Sequence, residues 1–294
     1  MCIVKAISLH SIVPVRAEAR EGAEQETQML FGELCEIISS QPSAVSNQPQ
    51  WYHVRLEADG QEGWVDAKMI TPMNQDEYRS YSATLKGAAL VAFPMAYAMS
   101  ENNGQTIPLT AGTLLANYEL QITNYEGHEA RFGRFEVLGV GFRIDPNMVI
   151  TTPRELNQEN LLQVTRFFLN VPYLWGGKNA LGMDCSGFSQ IIMSLFGKKL
   201  LRNASEQATH GRKITALHKA QAGDLVFFEK QTSPHPSPQE REQTGHITHV
   251  GILIDSERVI HCSGRVKVEK IDETGIYNIE QGGYSHHLVA IRRI

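Results

Sequence analysis

The sequence predicts an α+β protein, with an all-β first half and a second half in which a cysteine-bearing helix packs on an antiparallel sheet. Two patterns predict it. Between Ile3 and Ile150 short apolar runs alternate with polar turns, the spacing of small barrels. Further on, Phe188 is followed by Ile191, Ile192, Leu195 and Phe196 at offsets of three, four, seven and eight, one face of a helix closing at Gly197. That helix opens at Cys185.

A chain of 294 residues, 42% of them hydrophobic, suits two or three domains with separate cores. The net charge of −5 gives no electrostatic reason to expect nucleic acid. No apolar run is long enough to cross a bilayer, so no membrane partner is expected. Cysteines at 2, 35, 185 and 262 show neither paired metal spacing nor a disulfide framework, and read as thiols. Met1 to Arg16 lacks a secretory pattern, which points to the cytoplasm, or to the periplasm or cell envelope if a leader had been removed. A monomer without cofactor is expected.

Residues 1–73 carry strand-like runs at Ile12 to Val15, Met29 to Phe31, Leu34 to Ile38, Trp51 to Leu56 and Gly63 to Val65. Gly32-Glu33-Leu34, the Trp51 strand and the hairpin Asp59 to Val65 resemble a bacterial SH3 domain. Asn74 to Tyr81 is polar and reads as a link. Residues 82–150 are again β-rich, and Ala111 to Leu115 echoes the Gly32 strand start. They read as a second, degenerate SH3-like copy, with one larger β domain as the alternative. Thr152-Pro153-Arg154-Glu155 has the form of an N-cap, a first-turn proline and a capping-box glutamate, so a helix is expected there and the last domain is set at 151–294.

A cysteine opening a helix lies where unpaired backbone N–H groups and the macrodipole favour a thiolate, the nucleophilic form. A buried structural cysteine is the plain alternative. Asp184 and Ser186 beside it, with Tyr173, Trp175 and a Gly176-Gly177 loop upstream, favour chemistry. A nucleophile needs a base. Past an Arg202 turn with a short helix and a Gly223 to Phe228 strand comes a Pro-containing stretch, 230–245, read as an exposed loop. Two strands then follow, Ile247 to Ile254 and Arg258 to Cys262. A short turn between them sets Gly251 opposite His261 and His249 diagonally across on the same face, roughly 7 Å apart in backbone terms. Cys185, His249 and His261 then form a candidate triad: nucleophile, base and orienter. A zinc site on the same three side chains is the rival constellation, without CxxC or HExxH spacing behind it.

Tyr173, Trp175-Gly-Gly, Asp184-Cys185-Ser186-Gly187-Phe188, Gly223 to Phe228, His249-Val250-Gly251-Ile252 and Ile260-His261 resemble, in order and spacing, the NlpC-type papain-like cell-wall cysteine peptidases. The resemblance implies a papain-like catalytic domain and hydrolysis of the γ-D-Glu–L-diamino acid bond of murein peptides. It implies Cys185 as nucleophile, His249 as base then acid, and His261 as orienter. Tyr173 falls beside the oxyanion site, and Trp175, Asp184, Ser186, Asn203 and Ser205 fall in the substrate-binding set. Murein-recycling members admit only peptides with a free N-terminal L-Ala, and Glu24 is the candidate for that amine. Asn203 stands where such members tend to have aspartate, and Gln61 where they often have tyrosine. The alternatives are an exported endopeptidase on intact wall, a non-catalytic wall-peptide binding module, and an amidase or acyltransferase on the same core.

Overall fold

The computed structural model describes residues 4–42, 49–125, 128–230, 247–279 and 281–294, which fall into two compact units, 1–153 and 154–294. The first unit opens with strands β1 (Val4–Ser8), β2 (Ile12–Arg16), β3 (Gln25–Leu30), β4 (Leu34–Pro42), β5 (Pro49–Leu56), β6 (Glu62–Asp66) and β7 (Ile70–Met73). They pair antiparallel in the order β3-β2-β6-β5-β4-β1-β7. Alternation drives this arrangement: Val13 and Val15 of β2 point inward to Met29, Cys35, Val54 and Val65 while their neighbours point outward.

The expected link after Met73 is instead a helix, α1 (Gln75–Thr84). Asn74 Oδ1 accepts from the N–H groups of Asp76 and Glu77, and Glu77 Oε2 accepts from the Asn74 N–H at 2.8 Å, a closed capping box. Its apolar anchor is a tyrosine, which polar composition conceals. Tyr81 is buried and its hydroxyl donates to the Gly32 carbonyl. Next come β8 (Ala89–Val91), β9 (Met95–Ser100), β10 (Thr106–Thr110), β11 (Leu114–Leu115), β12 (Glu119–Tyr125), β13 (His128–Val137), β14 (Val140–Ile144) and β15 (Val149–Ile150). They form a five-stranded sheet β10-β9-β14-β13-β12 and a small sheet β11-β8-β15. Ile7, Phe31, Leu34 and Tyr81 share one core with Val91, Leu109, Leu115 and Phe135, so the two β regions of this unit are packed together.

In the second unit the helix expected at Thr152 starts later, as α2 (Gln158–Thr165). Asn157 caps it by accepting from the Asn160 N–H at 2.9 Å, and asparagine is the stronger cap. Leu161, Val164, Thr165 and Phe168 are buried, as their spacing requires. The short hairpin β16 (Lys178–Asn179) and β17 (Gly182–Met183) leads into α3 (Cys185–Ser194), and α4 (Ala204–Gln207) follows. β18 (Arg212–Ile214), β19 (Leu225–Lys230), β20 (His249–Leu253), β21 (Arg258–Ser263), β22 (Arg265–Ile271), β23 (Gly275–Asn278) and β24 (Gly283–Arg293) make an antiparallel sheet. A further β23–β24 pairing closes six of its strands into a ring. Val226, Phe228, Leu253, Val259, Ile276 and Ile291 cluster on one of its faces. Helix α3 packs on β20 and β21. The loop expected at 230–245 lies, beyond Lys230, outside the described residues.

Candidate active site

Cys185 is the first residue of α3, set there by Asp184 at the N-cap. Asp184 Oδ1 accepts from the Gly187 N–H at 2.7 Å, and Oδ2 accepts from the Gly176 N–H at 3.0 Å, tying the glycine loop to the helix start. Arg202, 1% exposed, donates through Nη1 and Nη2 to both oxygens of Asp184 and through Nη1 to Ser186 Oγ at 2.8 Å. Ser186 Oγ in turn donates to Asp184 Oδ1. The polar atoms flanking the cysteine therefore form a saturated buried network.

The structure departs from the expectation of a resting thiolate. Cys185 is 7% exposed, and burial pushes its thiol up to about 12, with the Asp184 charge adding to the rise. The Val250 and Ser186 N–H groups and Arg202 oppose that rise without cancelling it. Desolvation outweighs the helix terminus here.

The histidines come from the strand row that faces the core side of the sheet: His249, Gly251 and Leu253 alternate on β20, Val259 and His261 on β21. Gly251 pairs with His261, as the hairpin register requires. A Cβ at Gly251 would lie 2.6 Å from Val259 Cγ2 and 3.1 Å from His261 Cβ, so only glycine leaves the imidazole this position. His249 Nε2 and His261 Nδ1 are hydrogen-bonded at 2.8 Å, with the rings nearly perpendicular. Burial, and then the neighbouring His261, His286 and Lys267, hold His249 well below its ordinary value near 6.5. It is a neutral imidazole at neutral pH. Among the described residues no group of three or more His, Cys, Asp or Glu side chains is placed to hold a metal ion.

A thiol at a helix terminus packed on the two strands that carry a coupled histidine pair can form and break acyl-thioesters. Residues 170–293 match the NlpC/P60 family, and residues 15–70 match the bacterial dipeptidyl-peptidase SH3 domain. Residues 170–293 of the second unit are therefore an NlpC/P60 domain, the domain of a cysteine peptidase family. A γ-D-glutamyl-L-lysine dipeptidyl-peptidase of Bacillus subtilis is 28% identical over 272 residues, covering 91% of this chain and 80% of that protein. One of the same name from Bacillus cereus is 25% identical, covering 80% of this chain and 66% of that protein. A solved NlpC/P60 family protein from Bacillus cereus superposes with TM-score 0.71 at 19% identity, over 98% of this chain and 99% of that one.

Within the NlpC/P60 unit the sequence-predicted residues separate into groups. Tyr173 is half-buried. Burial raises its hydroxyl above the ordinary value, and the neighbouring Cys185 and Asp184 raise it further, so it stays a donor. Trp175 is 59% exposed on the glycine loop. Asn203 caps α4, with its backbone N–H and Nδ2 both donating to Glu206 Oε2, and Ser205 is exposed one residue into that helix. Glu24 belongs to the other unit, exposed just ahead of β3. Three residues at the site were not singled out from sequence: Arg202 under the Cys185 turn, His286 stacked on His249 with ring centroids 4.3 Å apart, and Glu269, whose Oε2 lies 2.8 Å from His261 Nε2. Glu269 obeys the rule that located His249. Its strand pairs His261 with Lys267, which puts Glu269 two residues along on the same face.

Proposed function

We propose that Cys185, His249 and His261 are the catalytic triad of a peptidase that cuts the γ-D-Glu–L-diamino acid bond of murein stem peptides with a free N-terminal L-Ala. The observation that carries the triad is the 2.8 Å bond joining His249 Nε2 to His261 Nδ1 on strands packed against the helix that Cys185 opens. His249 takes the thiol proton as Cys185 Sγ attacks the γ-carbonyl carbon. The tetrahedral oxyanion is met by the Cys185 N–H and the Tyr173 hydroxyl. His249 then protonates the departing amine of the diamino acid, leaving an L-Ala-γ-D-Glu thioester on Cys185. Water, giving a proton to His249, releases the dipeptide and restores the thiol.

The substrate half of the proposal is supported by the Bacillus subtilis and Bacillus cereus relatives, whose names specify γ-D-glutamyl-L-lysine dipeptidyl-peptidase activity, and by the SH3 domain match at 15–70. In this reading Trp175, Ser186 and Ser205 border the peptide, and residues 82–150 are a second SH3-like module. Asp184 and Asn203, occupied at their helix caps, act by shaping that border. The protein works as a monomer on peptides released by wall turnover, in the cytoplasm.

The deciding experiment is mass spectrometry of L-Ala-γ-D-Glu-L-Lys and its meso-diaminopimelate counterpart after incubation with the protein, beside the N-acetylated peptides and Cys185→Ala. Release of L-Ala-γ-D-Glu from the free peptides alone, absent with the variant, is the expected result. Cleavage of acetylated peptides as well would replace the recycling reading with an endopeptidase on intact wall. Cleavage of neither would return the chain to a binding role or another acyl substrate.

A further inference from the structure

The hydrogen bonds behind the histidine pair run one residue further than a triad. His261 Nε2 lies 2.8 Å from Glu269 Oε2, and Lys267 Nζ lies 3.0 Å from the same oxygen. The Glu269 side chain is 12% exposed. Burial works to raise its carboxyl, but the bonds to His261 and Lys267 outweigh it and leave the group below its ordinary value. Glu269 is thus a carboxylate, which only accepts hydrogen bonds.

That acceptor fixes every proton in the row. His261 must carry its hydrogen on Nε2 to donate to Glu269. In a neutral imidazole the other nitrogen is then bare, so His261 Nδ1 accepts, and the hydrogen in the 2.8 Å bond belongs to His249 Nε2. His249 is neutral too, so its Nδ1 is bare and is the one basic nitrogen left to receive a proton. Were Glu269 replaced by a group that donates or does nothing, both imidazoles could turn over to the opposite tautomers. His249 Nδ1 would then hold a hydrogen and could not act as base.

We propose that Glu269 is a positioning residue that sets the tautomer of the general base from two hydrogen bonds away, making the working array Cys185–His249–His261–Glu269, with Lys267 holding the carboxylate in place. This rests on the triad assignment above but not on which peptide is cut. A wrong tautomer disables a base without disturbing substrate binding, so the loss falls on kcat rather than KM.

The test is nitrogen-15 NMR of the histidine rings of the full chain at neutral pH, without substrate, in wild type, Glu269→Gln and Glu269→Leu, together with steady-state kinetics on the stem peptide. Wild type should show His249 and His261 both protonated on Nε2 and bare on Nδ1. Glu269→Gln, whose amide oxygen can sit between Lys267 and His261, should keep both tautomers and keep kcat within about threefold. Glu269→Leu should give mixed tautomers at His249 and lower kcat about tenfold or more at unchanged KM.

A wild-type spectrum with His249 protonated on Nδ1 overturns the proposal outright, and needs no variant to fold. So does a Glu269→Leu protein that keeps the wild-type tautomers, or that changes them with no loss of kcat. If wild type cleaves no stem peptide, the substrate reading fails while the spectrum still decides this one.

Discussion

Replacing Asp184 with asparagine tests whether the residue before the cysteine holds the site together. Asp184 takes two backbone N–H bonds, at 2.7 and 3.0 Å, a hydroxyl bond from Ser186, and both forks of a guanidinium that is 1% exposed. The amide introduced by Asp184→Asn could keep one or two of the backbone bonds. It cannot neutralise Arg202. Removing one member of a buried ion pair costs about 3–5 kcal/mol, and a weakened cap adds up to about 1 kcal/mol. At about 1.4 kcal/mol per decade, the lower end is roughly a hundredfold. Hydrogen exchange of the α3 amides in the native full chain reads it: protection over 185–194 should fall roughly a hundredfold, with 4–42 unchanged. Adding Arg202→Met should recover part of the loss, because the double variant no longer buries an unneutralised charge. A fall of less than about threefold in Asp184→Asn, or a double variant that loses the sum of the two singles, would refute the ion-pair account.

Three further outcomes follow from the same geometry. Alkylation of Cys185 by iodoacetamide, followed by peptide mapping to separate it from Cys2, Cys35 and Cys262, should keep accelerating past about pH 9, since burial sets the thiol at about 12; a plateau already reached near pH 6 would mean a resting ion pair. His286 is held at about 4, first by burial, against about 6.5 in an unfolded chain, so between these values the unfolded state binds the extra proton and acidification destabilises the fold. The His286 share is about 2 kcal/mol between about pH 7 and pH 5, and a urea titration of His286→Phe should lose that share of the acid sensitivity while keeping a ring against His249. Tyr173→Phe should lower kcat about a hundredfold with little change in KM, as loss of an oxyanion donor does, and an unchanged kcat would remove Tyr173 from the oxyanion site.

What sequence could yield depended on whether the deciding interaction was local. The His249–His261 contact was legible because a short turn leaves one register, and Gly251 marks the gap that an imidazole fills. The helix opening at Cys185 was legible from its apolar spacing. Helix α1 was not, because two tyrosines supply its buried side and the other positions look like linker. The start of α2 was misplaced because two adjacent capping signals competed, and the stronger, Asn157, prevailed over Thr152. The protonation of Cys185 was out of reach. A helix terminus is visible in sequence, but the burial that reverses its effect depends on strands more than sixty residues further along the chain.

That reversal makes sense of the array as a whole. A resting thiolate–imidazolium pair would place a charge on His249 in a fully buried site, beside His261, His286 and Lys267, each of which opposes it. The nearest anion on that side, Glu269, is two hydrogen bonds away and already shared with Lys267. Both charges of the pair would be desolvated, which a low-dielectric interior penalises unless the reacting carbonyl is there to receive the electrons of the sulfur. The neutral thiol and neutral base are therefore the stable resting couple, and proton transfer belongs to the step in which Sγ bonds to carbon. On the proposed assignment this also protects the enzyme, because a buried thiol is a poor target for oxidants and stray electrophiles while it waits. The helix amides and the Val250 N–H then do their work on the transition state rather than on the resting cysteine, lowering the cost of negative charge on sulfur when peptide is bound.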